Sequence, residues 1–115
     1  MKLEEKKYLL DILESIQVIE QYLGKNRVFE DFNRNQQLQD AIIRRLEIIG
    51  LATNKLLKEN PDILISNSRK IVGFRNKVAH EYDRISLENI WAILIKYLPT
   101  LKDEVEKLLN TSTGH

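Results

Sequence analysis

Between Arg69 and Arg84 the chain carries five basic residues (Arg69, Lys70, Arg75, Lys77 and Arg84) against two acidic ones (Glu81 and Asp83), a local charge of +3. The same stretch holds His80, the only histidine besides the last residue, His115. Arginine offers a planar fork of donors that matches phosphate oxygens. Histidine exchanges a proton near neutral pH. Together they are the minimum set for breaking an RNA phosphodiester without a metal ion. The imidazole takes the proton of a ribose 2′-hydroxyl or gives one to the leaving 5′-oxygen, and the guanidinium stabilises charge building on phosphorus. The plainer alternative is a solvated helix face closed by a histidine that suits the negative end of the helix dipole.

Spacing constrains how these groups could meet. Arg75 and His80 are five positions apart, about 500° along a regular helix, so they point roughly 140° away from each other. They share a face only if the helix ends near Ala79, whereas Arg75 and Tyr82, seven apart, align if it continues. Groups splayed this way suit a groove between two subunits better than a self-contained pocket. One chain supplies one internal histidine, so filling both acid and base roles with histidine requires His80 from each of two chains.

The elements that must hold this segment are helical. Leu3, Tyr8, Leu9, Ile12, Leu13, Ile16, Ile19 and Leu23 recur at three- and four-residue intervals up to Gly24, a helix-ending residue. A loop from Lys25 to Phe29 follows, with Phe29 and Phe32 anchoring it to the core. A second run (Leu38, Ala41, Ile42, Leu46, Ile49, Ala52, Leu56, Leu57) stops at Asn60-Pro61, because proline pushes the residue before it out of the α region. Ser66, Asn67 and Ser68 offer caps for a third helix over about 66–80, and Ser86 for a fourth. Pro99 falls inside that fourth pattern and should kink it or start a new helix. Gly50 and Gly73 each weaken a helix by about 1 kcal/mol relative to alanine, which points to close helix–helix approach at both. Trp91 and Tyr97 fit the apolar stripe, as core or as interface between copies.

The expected fold is an all-α antiparallel bundle of four to five helices, one domain over 1–110 with a flexible tail over 111–115. Four Gly and two Pro in 115 residues leave too little turn chemistry for a β-sandwich or barrel. Zero Cys excludes a disulfide scaffold, a zinc ribbon and a cysteine nucleophile. Eighteen basic side chains against seventeen acidic ones exclude a protein that grips nucleic acid by bulk charge. No apolar stretch approaches the roughly 18 residues of a membrane span, no signal-peptide core follows Met1, and the cytoplasm is the expected compartment. Two histidines, one of them terminal, leave no basis for a metal site within one chain.

Arg75-Asn76-Lys77-Val78-Ala79-His80-Glu81-Tyr82 resembles the R-x4-H-x-Y signature of HepT-like proteins, a branch of the HEPN superfamily. Arg45-Leu46-Glu47-Ile48-Ile49-Gly50-Leu51-Ala52 is similar to the family's second-helix block, and Leu98-Pro99-Thr100-Leu101 to its last-helix Leu-Pro-x-Leu. The likeness runs from about Asp11 to Leu109. Two departures stand out: Asn67-Ser68 where many relatives carry Pro-Trp, and Leu51 where many carry Glu. The resemblance implies a HEPN-like homodimer, the toxin of a toxin–antitoxin pair, acting as a metal-independent endoribonuclease with Arg75 and His80 lining a cleft at the dimer interface. It makes Asn76 a supporting residue and Tyr82 the acceptor of AMP groups from an MntA-like nucleotidyltransferase antitoxin. That partner uses the ATP, so no cofactor is implied for this chain. Lys70, Lys77, Arg44 and Arg45 are candidate RNA contacts. The alternative is a HEPN subunit that partners the nucleotidyltransferase without cutting RNA.

Overall fold

A computed structural model describes residues 2–81 and 86–113. The elements are α1 (Leu3–Leu23), α2 (Phe29–Asn33), α3 (Gln36–Glu59), α4 (Ser68–Glu81), α5 (Leu87–Ala92), a π turn (Ile93–Tyr97) and α6 (Leu98–Thr113). No strand occurs among the described residues, so the all-α expectation holds. None of their helices is long and apolar enough to cross a membrane.

Helix α1 buries Leu9, Ile12, Ile16 and Ile19, the three- and four-residue series visible in the sequence. It ends where Gly24 turns to φ 67° and donates its N–H to the Glu20 carbonyl at 3.0 Å. Only glycine adopts that conformation without strain. Helix α3 starts on Asn35, whose Oδ1 accepts from Leu38 N–H at 3.0 Å, and stops at Asn60 before Pro61. It forms the centre of the bundle, with α1, α2 and α4 packed against it and α6 closing over α1. Its buried face carries Ile42, Leu46, Ile49 and Leu56, each fully buried aliphatic side chain stabilising the fold by about 1.5–3 kcal/mol. Thr53 is also buried, and its hydroxyl donates to the Ile49 carbonyl at 2.7 Å.

The loop expected over Lys25 to Phe29 is present up to Val28, and Phe29 opens a short helix, α2, that the spacing did not predict. Phe32 is buried there, with its ring centroid 5.5 Å from that of Trp91, and Phe29 lies 5.9 Å from the same indole. Trp91 is thereby core, half-buried on the α2 side. The Gln39 amide donates to the carbonyls of Phe32 at 2.9 Å and Asn33 at 3.1 Å, satisfying acceptors that the end of a helix leaves open.

Ser86 caps α5 as expected, its Oγ accepting from Asn89 N–H at 3.3 Å. Pro99 falls in the first turn of α6, in line with the expected new start, although the helical path runs on without a break before it. The chain stays right-handed helical from Leu87 to Thr113, but Leu98 N–H reaches the Ile93 carbonyl five residues back. Pro99 has no N–H to donate and its ring would strike the Ile95 carbonyl in α geometry, so the preceding turn widens instead. Helix α6 then runs through Thr113, three residues beyond the boundary expected at 110. It is tied back by Lys102 Nζ to Glu20 Oε1 of α1 at 3.0 Å and by Ser66 Oγ to Glu104 at 2.8 Å. Ser66 is therefore spent on α6 and does not cap α4. Asn67, at φ 60°, stands before that helix, and its carbonyl takes the Ile71 N–H.

Candidate active site on α4

Helix α4 rests on α3 through a short glycine contact. A methyl group at Gly50 would lie 2.5 Å from Arg75 Cβ, 3.1 Å from Arg75 Cγ and 3.2 Å from the Ile71 carbonyl oxygen. The close approach expected at Gly50 is therefore present, and Arg75 is the residue it admits. At Gly73 no close approach is seen within one chain: among the described residues nothing lies within 4 Å of where a methyl would sit. Gly73 faces outward on the same stripe as Arg69, Asn76 and Lys77, all exposed.

The half-buried Arg75 leaves α3 by way of its neighbour. Its Nη1 donates to Asn76 Oδ1 at 3.2 Å, which draws the guanidinium round towards the exposed stripe. Helix α4 continues through Glu81, so Arg75 and His80 do not share a face. Asn76 sits about 100° round from Arg75, and position 80 about 40° further on and one turn along. The Arg75–Asn76 bond thus spans most of the angle that separates the two positions. His80 is helical in its backbone; its side chain, and all of Tyr82 and Arg84, lie outside the described residues.

The other candidate contacts divide. Lys77 is exposed on the α4 stripe. Lys70 is exposed too, and places its Nζ 5.7 Å from the centroid of the Tyr97 ring, both residues lining an apolar cleft of about 320 Å³. Leu46 and Ile49 of α3, Ile71 and Phe74 of α4, and Ile93 and Tyr97 of the π turn line that cleft. Arg44 is exposed and Arg45 half-buried on α3. Leu51, where many relatives carry Glu, lines a shallow groove against Lys7, Tyr8 and Asp11 of α1. Its neighbours are on α1 and those of Gly50 on α4, so the substitution takes no acidic group from beside Arg75 in the same protomer.

Fold and site together define an all-helical bundle with an arginine, steered by an asparagine, on a basic helix whose backbone carries a histidine five positions later. The chain matches the family described as ribonuclease HepT-like over residues 12–108 and belongs to it. It is 36% identical over 112 residues to a Thermococcus cleftensis protein named "Probable ribonuclease HepT", covering 94% of this chain and 98% of that one. A Methanocaldococcus jannaschii protein named "Gamma-glutamylcyclotransferase and putative RNase" is 36% identical over 95% of this chain, which spans 49% of that longer protein. A second protein from that organism, named "Putative RNase", is 31% identical over 98% of this chain and 93% of its own length. No solved structure matches the chain significantly.

Proposed function

We propose that this chain is a metal-independent endoribonuclease, the toxin of a toxin–antitoxin pair, working as a homodimer whose Arg75 and His80 line a shared cleft. The observation that supports it best is the Arg75–Asn76 hydrogen bond, which turns the guanidinium towards the side of α4 on which position 80 falls. Family membership supplies the reaction class. One imidazole takes the 2′-hydroxyl proton, the 2′-oxygen attacks phosphorus, and the P–O5′ bond breaks. The imidazole of the second copy protonates the leaving 5′-oxygen. Arg75 holds the non-bridging oxygens as their charge grows. The products are a 2′,3′-cyclic phosphate and a free 5′-hydroxyl. Lys77 and Arg69, exposed beside the site, steer the RNA backbone, and a two-fold axis would double this local positive charge.

Expression without a partner tests the reading. Wild type degrades cellular RNA to fragments with cyclic phosphate ends, and His80→Ala leaves RNA intact. If both leave RNA equally undisturbed, the chain is a binding subunit and not a nuclease.

In the same reading Tyr82 accepts AMP from an MntA-like nucleotidyltransferase partner, which spends ATP and releases pyrophosphate. The added phosphate charge and bulk repel and obstruct RNA at the cleft. Incubation with the partner and ATP adds mass in multiples of AMP, and Tyr82→Phe abolishes the gain. Labelling that persists in this variant removes Tyr82 from the site.

A further inference from the structure

We infer that Gly50, a residue of the central helix with no side chain of its own, is a positioning residue for Arg75 in the proposed cleavage reaction. The inference rests on that reading and adds a requirement to it. Arg75 stands on α4 with its Cβ and Cγ directly over Gly50. Its guanidinium is fixed at the far end by Asn76 Oδ1 at 3.2 Å. The side chain is thus located at both ends: the stem by the absence of a methyl on α3, the fork by an amide oxygen on α4.

Glycine is otherwise a poor choice for position 50. The residue is buried in the middle of a 24-residue helix, where alanine would favour the helix by about 1 kcal/mol. It adopts no positive φ, so backbone conformation does not call for it. What calls for it is the space taken by Arg75 and by the Ile71 carbonyl one turn earlier on α4. A methyl 2.5 Å from Arg75 Cβ must separate to an ordinary carbon contact of about 3.5 Å, a movement of about 1 Å. The atoms that give way are the stem of Arg75 and the backbone carrying it, which are not the loose end of a flexible chain. Misplacement of a catalytic group by about 1 Å costs about a hundredfold in rate.

The test is a cleavage cycle on a short RNA oligonucleotide with Gly50→Ala, Arg75→Ala and the double variant, the fold of each being followed by circular dichroism. Gly50→Ala lowers kcat about a hundredfold and leaves KM within about threefold, because the rest of the basic stripe still holds the RNA. In the Arg75→Ala background the same substitution costs little further in rate: the Cβ that the methyl meets remains, but the guanidinium whose displacement slows the reaction is gone. Cleavage by Gly50→Ala at the wild-type rate, or an equal loss in both backgrounds, overturns the inference while leaving the nuclease intact. An inert wild type, or an Arg75→Ala variant as active as wild type, overturns the underlying reading instead. Should Gly50→Ala fail to fold, Arg75→Gly is added to remove the Arg75 Cβ and Cγ, the two nearest atoms it meets, leaving the Ile71 carbonyl at 3.2 Å. Recovery of the fold supports the contact, and failure to recover refutes it. Gly73→Ala, which adds its methyl to open space, controls for helix propensity and raises the melting temperature.

Discussion

Arg75→Ala lowers the rate of RNA cleavage by about 10²–10³-fold, the loss found when one preorganised donor to a developing oxyanion is removed. The fall is chiefly in kcat. Charge on the non-bridging oxygens is greatest in the transition state, and other cations of the stripe (Arg69 and Lys77) still bind the ground-state RNA. Arg75→Lys recovers only part of the rate. Lysine keeps the charge but lacks the planar fork, and it cannot donate to Asn76 while gripping phosphate in the same geometry. Alanine retains the Cβ that packs over Gly50, so circular dichroism and melting temperature stay near wild type. Initial rates at several RNA concentrations separate the outcomes. A change confined to KM makes Arg75 a binding residue rather than one that stabilises the transition state.

The residue types of the site were legible before any coordinates, and their arrangement was not. Arg75 and His80 stand out because a positive cluster around an internal histidine is chemically unusual in a nearly neutral chain. The 140° between them, taken from helical geometry alone, correctly keeps them on different faces. It misses that Asn76 bends the arginine part of the way back, since a rotamer held by one hydrogen bond leaves no trace in spacing. Gly50 was conspicuous as a costly residue in a helix. Its partner lies 25 positions away, and only packing identifies it. Helix ends marked by Gly24, Asn60-Pro61 and Ser86 fell where local backbone chemistry dictates. Helix α2 escaped because five residues are too few for a helical period to be told from two aromatic anchors in a loop. Pro99 was marked as a disturbance, but whether a proline kinks a helix or widens a turn depends on what packs around it.

Phe32→Ala destabilises the fold by about 3–5 kcal/mol, in the range for deleting a fully buried aromatic ring. Phe32 is 1% exposed and meets both Phe29 and Trp91, so its loss opens a cavity bounded by two rigid rings that collapse poorly. It also loosens the first attachment of α2, leaving the Gln39 hydrogen bonds to hold that helix. At about 4 °C per kcal/mol for a chain of this size, the melting temperature falls by about 12–20 °C. Trp91 is the only tryptophan, so its fluorescence reports the cavity directly. The emission shifts to longer wavelength as water reaches the indole, even below the melting transition. A drop of under about 1 kcal/mol with unchanged emission would mean that α2 is a detachable flap and not part of the core.

The wide turn before Pro99 also governs which changes in chain length the protein can tolerate. A residue added or lost in the loop between Gly24 and Val28 alters only the path of an exposed connection. The turn between Ile93 and Tyr97 already holds one residue more than an α turn, so a further residue added there would rotate everything after it by about 100°. Leu101 and Val105 would swing out of the core, and Lys102 would leave Glu20. For this rod, the number of residues between Ser86 and Leu101 is as constrained as the identity of any side chain within it.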